Sequence, residues 1–100
     1  MAGRVDFAAV NRVALANLLL ILERWLPGGK VIAGEYLALN PRRVDHTPGS
    51  FKINLRSGRW ADFATGAGGG DPVSLTAYLH GLSQLDAARS LAEMLGVSDG

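Results

Sequence analysis

The chain is expected to be α+β: a small antiparallel β-sheet packed with an N-terminal helix and two C-terminal helices. Three observations carry this. An apolar stripe at helical spacing runs through residues 7–26 and stops at Pro27-Gly28-Gly29. Phe51, Ile53 and Leu55 alternate with Lys52, Asn54 and Arg56, the two-residue period of a half-buried strand. Two further helix starts, at Asp71-Pro72 and at Ser83, follow a glycine-rich stretch.

One hundred residues make one small domain, spanning 1–100. A chain of this length buries only about two thirds of its unfolded surface, so its margin of stability is modest. Hydrophobic residues are 48% and charged residues 19%, which excludes a disordered chain. There is no cysteine, so neither a disulfide scaffold nor a thiolate metal site is available. This composition fits a cytoplasmic protein.

The first helix is placed at 7–26. Asp6 supplies the N-cap, and Val10, Val13, Ala14, Leu18, Ile21, Leu22 and Trp25 form the stripe. The run Leu18 to Leu22 is too short to cross a bilayer, which needs about 20 apolar residues. Only Arg12 and Arg24 are basic on this helix, so membrane binding is not expected, and no targeting segment is recognised.

A β-rich core is placed at 30–65. Lys30 to Leu39 reads as one strand or two short ones around Gly34, and residues 40–49 as a loop holding two prolines. Residues 51–63 read as a hairpin. A three-residue loop, Ser57-Gly58-Arg59, pairs Leu55 with Ala61 and Ile53 with Phe63. It gathers Lys52, Asn54, Arg56, Trp60 and Asp62 on the polar face, with Gly58 at positive φ. The run Gly66 to Gly70 lacks the ending of a P-loop and reads as a flexible turn.

A helical pair is placed at 71–96. The first member runs from Asp71-Pro72 to about His80, which sits where a cation favours the helix dipole. The second follows Ser83, buries Leu85, Ala88, Leu91, Ala92 and Leu95, and stops at Gly96.

Net charge is only +1, but its distribution is uneven. Lys30, Arg42, Arg43, Lys52, Arg56 and Arg59 face only Glu35 and Asp45 in the middle third, a local net of +4. The flanks carry four arginines against seven acids, a net of −3. Cations beside an aromatic suit a single-stranded nucleic acid, because phosphates meet the charges and a base stacks on the ring. Arg42, Arg43, Lys52, Arg56, Arg59 and Trp60 are therefore the candidate nucleic-acid-binding residues. None of the six serines between Ser50 and Ser98 has a nucleophile's context, and nothing in the spacing of Asp45, His46, Asp62 and Asp71 demands a metal. No catalytic residue, cofactor or metal is assigned.

Thr47-Pro48, Ser50-Phe51, Phe63, Gly66 and Gly69-Gly70-Asp71 form a frame. It resembles the N-terminal zinc-ribbon domain of bacterial, phage and plasmid DNA primases and primase-helicases, over roughly Leu39 to Gly96. In that family a Cys-Pro-x-His run leads into Thr-Pro-Ser-Phe and a hairpin. An aromatic-x-Cys-Phe-x-Cys-Gly run then leads into Gly-Gly-Asp and a helix. Here Asn40, Arg43, Asp62 and Thr65 stand where the ligands would be, with one extra residue at Gly49 and one extra glycine in Gly68-Gly69-Gly70. The resemblance is to a cysteine-free version of the module, as found on mobile elements. It implies a zinc-ribbon-like hairpin without zinc, and a non-catalytic, metal-independent nucleic-acid-binding module of a DNA replication system. The alternative is a protein-interaction module that docks on a primase, helicase or other replication protein through its helical side. The aligned positions also imply an ion pair between Arg43 and Asp62 in place of part of the lost cross-link, worth about 0–1 kcal/mol if exposed.

Overall fold

A computed structural model describes residues 5–44 and 49–97. Asp45, His46, Thr47 and Pro48, part of the family-like frame, lie outside the described residues. The elements are α1 (Phe7–Ala16), α2 (Leu18–Trp25), β1 (Lys30–Ile32), β2 (Glu35–Ala38), β3 (Phe51–Asn54), β4 (Trp60–Asp62), β5 (Ala67–Gly69), α3 (Pro72–His80) and α4 (Gln84–Leu95). The five strands form one antiparallel meander in the order β1-β2-β3-β4-β5.

The single helix expected over 7–26 is two. Asn17 leaves the helical region (φ −117°, ψ 16°), and its Nδ2 donates to the Val13 carbonyl at 2.8 Å. An amide side chain that takes a backbone acceptor competes with the helix ladder. The break turns most of α2 toward a second core, although Ile21 of α2 stays in the first. Val10 and Ala14 of α1 pack with Val73, Ala77, Ala88 and Leu91 of the helical pair. Leu18 and Leu22 of α2, with Leu26, pack on Tyr36, Phe51, Ile53 and Trp60 of the sheet.

Lys30 to Leu39 resolves into two strands joined by a two-residue turn, in which Ala33 (φ 52°) and Gly34 (φ 78°) both have positive φ. That is the turn whose twist matches a hairpin, and Ala33 occupies it against a steric cost of about 1–2 kcal/mol.

The β3–β4 register differs from the sequence expectation. Phe51 pairs with Asp62, Lys52 with Ala61 and Ile53 with Trp60. The loop has four residues, 55–58. Asn54 Oδ1 accepts from Arg56 N and Ser57 N, each at 2.9 Å, and the Gly58 amide donates to the Asn54 carbonyl at 2.8 Å. Gly58 does have positive φ, 79°. A Cβ there would stand 2.8 Å from Pro72 Cδ, so the glycine also permits close packing on α3. The shift exchanges the two faces of β4. Trp60 and Asp62 turn inward beside Phe51 and Ile53, while the neighbouring Phe63 is exposed. Burying Trp60 in place of Phe63 removes the larger aromatic surface from water, a gain roughly proportional to the area buried.

The glycine run is not simply a turn: Ala67–Gly69 form the edge strand β5. Gly69 lies opposite Trp60, and a Cβ there would fall on Trp60 Nε1 and Ser74 Oγ. The helical pair lies where expected. Asp71 Oδ1 caps α3 by accepting from Ser74 N at 2.8 Å, Gly81 and Gly96 end α3 and α4 in the left-handed region, and Ser83 Oγ caps α4. Leu85 is exposed, and Ala87 takes its place in the buried stripe. No helix among the described residues is long and apolar enough to cross a membrane.

Candidate nucleic-acid interface

Asp62 ends β4 with its side chain fully buried. Four donors satisfy its carboxylate. Arg43 Nε donates to Oδ2 at 2.7 Å and Arg43 Nη2 to Oδ1 at 3.2 Å; Asn40 Nδ2 donates to Oδ2 at 2.7 Å and Ala64 N to Oδ1 at 2.9 Å. Asn40 is itself buried. Its Nδ2 also reaches the Tyr78 hydroxyl at 2.9 Å, and its Oδ1 accepts from the Arg42 amide at 2.8 Å. The Asp62 carbonyl closes the next turn by accepting from Thr65 N and Gly66 N.

This clasp ties the loop after β2 to the β4–β5 turn and to α3. The Arg43–Asp62 ion pair expected from the sequence is present, but it is partly buried and bidentate rather than exposed. Hydrogen bonds from Arg43 hold the Asp62 carboxyl at about 2, against an ordinary 3.8. Asn40 and Ala64 N add to this, and burial opposes it.

The open face of the sheet carries the second feature. Because 60 and 62 point inward, Arg59, Ala61 and Phe63 of the β4 segment share the outer face with Lys52 and Asn54 of β3. Phe63 is 72% exposed, and Lys52 Nζ stands 5.7 Å from its ring centroid. Lys52, Arg59, Asn54 and Phe63, with Glu35 and the backbone of Gly68–Gly70, line an open concavity of about 570 Å³.

The six residues expected to form one binding surface are thus divided. Lys52 and Arg59 meet in the concavity, and Arg56 is exposed on the adjoining β3–β4 loop. Arg43 is engaged with Asp62. Arg42 is exposed on the loop after β2, close enough to α3 that a Cβ at Gly81 would meet its Nη1 at 3.9 Å. Trp60 is corrected most. It is 6% exposed, its Nε1 donates to Ser74 Oγ at 2.9 Å, and its ring packs against Tyr78 with centroids 4.8 Å apart and planes tilted by 34°. It does not stand on the outer face among the cations. Phe63, paired with Ile53 on the apolar face in the sequence register, is the aromatic that the outer face displays.

Comparisons with protein families and with curated proteins return no match. Among solved structures, the chain is similar to the crystal structure of the Aquifex aeolicus primase (zinc-binding and RNA polymerase domains). The TM-score is 0.73 at 23% identity, over 96% of this chain and 22% of that one. The chain therefore has an α+β fold found within that bacterial primase, built from a sequence without a single cysteine.

Proposed function

We propose that this chain is a non-catalytic, metal-independent nucleic-acid-binding module of a primase-related replication system, and that the outer sheet face receives a single strand. The observation that carries this is the placement of Lys52 and Arg59 beside the exposed Phe63 ring around one open concavity. Two cations contact phosphates, and an exposed aromatic accepts a base. The primase neighbour supports the same reading through the fold alone. Arg56 extends the cationic rim, and the clasp fixes the turn that presents Phe63.

Titration of a fluorescent oligonucleotide at several salt concentrations tests this. Affinity should fall as salt rises, with a logarithmic slope of about −1.4 for two contacted phosphates on a single strand. Lys52→Ala with Arg59→Ala should flatten that slope. Phe63→Ala should cost about 1–3 kcal/mol and leave it unchanged. Absence of binding by the folded protein at low salt would refute the proposal.

One observation favours protein docking as a second reading. A groove of about 220 Å³ between α2 and α4 is lined by Leu20, Ile21, Trp25, Met94 and Leu95, and Leu20 is 70% exposed. Leu20→Glu should then abolish partner binding without affecting oligonucleotides.

A further inference from the structure

We propose that the free edge of β5 is a docking site for an extended segment of another protein, with an acidic residue flanked by apolar ones. Among the described residues β5 is the last strand of the sheet, with no strand on its outer edge, and its backbone direction follows from the hydrogen-bond pattern. Asn54 N donates to Arg59 O and Phe63 N to Ser50 O, so Arg59, Ala61 and Phe63 spend their main-chain groups on β3. Antiparallel ladders alternate, so Trp60 and Asp62 bond across to Gly69 and Ala67. Gly68, opposite Ala61, therefore points its N–H and C=O away from β4, off the open edge, and it is exposed.

A strand added there places alternate side chains on opposite faces of the sheet. The fold provides a concavity on each face, and Gly68 lines both. A residue opposite Gly68 would project over the outer face, where Lys52 and Arg59 outnumber Glu35 and favour a carboxylate. Its two neighbours would project over the inner face. There a second concavity of about 360 Å³ is lined by the tilted Trp60–Tyr78 ring pair, by Ala77 and Leu82, and by Ser74 and Gln84. An apolar–acidic–apolar triplet satisfies both faces at once. β5 itself carries neither the charge nor the proline that commonly blocks an edge strand.

The test uses the isotope-labelled 100-residue chain and three blocked pentapeptides at millimolar concentration: Thr-Ile-Asp-Ile-Thr, the same peptide with Lys for Asp, and the permuted Thr-Thr-Asp-Ile-Ile. The first should shift the Gly68 amide most and slow its hydrogen exchange at least about tenfold at saturation. The Lys peptide and the permuted peptide should each bind roughly tenfold more weakly. Arg59→Glu should reverse the preference between the Asp and Lys peptides. Gly68→Pro should abolish binding, since its N–H serves the free edge and not the β4 ladder. If that variant fails to fold, the Arg59→Glu reversal still decides. Three equal affinities, shifts that map away from β5, or no binding by the folded protein would overturn the proposal. Oligonucleotide binding is measured separately, so a negative peptide result leaves the nucleic-acid reading standing. Where both hold, strand and peptide should compete for Lys52 and Arg59.

Discussion

Replacing Asp62 by asparagine changes one atom and removes one charge. The carboxylate accepts from Arg43 Nε, Arg43 Nη2, Asn40 Nδ2 and Ala64 N. An amide has a single accepting oxygen, so in either orientation its NH₂ group confronts donors. Breaking one side of a fully buried pair costs about 3–5 kcal/mol. Arg43 is 22% exposed and can recover part of its solvation from water, so Asp62→Asn should cost about 2–3 kcal/mol at neutral pH. For a chain of this length that is a fall in Tm of roughly 10–20 °C.

The pH dependence supplies a second reading of the same contact. The folded-state pKa of Asp62 is depressed to about 2 from an ordinary 3.8. The stabilisation is therefore present in full above the unfolded value and lost as pH falls through the folded one. About 2 kcal/mol should disappear between roughly pH 5 and pH 2 in the wild type. The Asp62→Asn variant should lack this component, so the two stabilities should converge at acid pH. Urea unfolding of both proteins across that range measures it. A loss under about 0.5 kcal/mol at pH 7, the scale of an ordinary surface change, would refute the clasp as a stabilising cross-link.

Ala33→Gly should raise stability by about 0.5–1 kcal/mol, because relief of a positive φ outweighs the added chain entropy; equilibrium unfolding measures it. Gly58→Val should cost more than about 2 kcal/mol in the same assay, since it adds left-handed strain to a collision with Pro72. Thermal unfolding should be unchanged by a strong chelator, and purified protein should hold no stoichiometric zinc; loss of fold on chelation would contradict the metal-independent reading.

The elements with strong local signals are legible in the sequence. Asp71-Pro72, Ser83, Gly81 and Gly96 bound their helices because caps act through adjacent backbone groups. What escapes depends on contacts that a local pattern does not carry. Asn17 looks like an ordinary polar position on a helix until its amide takes the Val13 carbonyl. Polarity alone sets a hairpin register with Asp62 and Trp60 outside, beside Lys52. Asp62 can be buried only because Arg43 neutralises its charge and Asn40 donates to it, both some twenty residues earlier. The Arg43–Asp62 pair is itself expected from the aligned positions, and following its burial through turns Trp60 inward and Phe63 outward. Strand β5 carries no side-chain pattern, since glycine there answers to the crowding of Trp60 and Ser74.

The central claim, that the outer sheet face receives a single strand, is tested most directly by mapping amide chemical shifts as an unlabelled oligonucleotide is added. Shifts should centre on Lys52, Asn54, Arg59, Phe63 and Gly68 and fade as salt is raised. Shifts confined to Leu20, Trp25 and Met94 in the α2–α4 groove, or none at low salt, would contradict it.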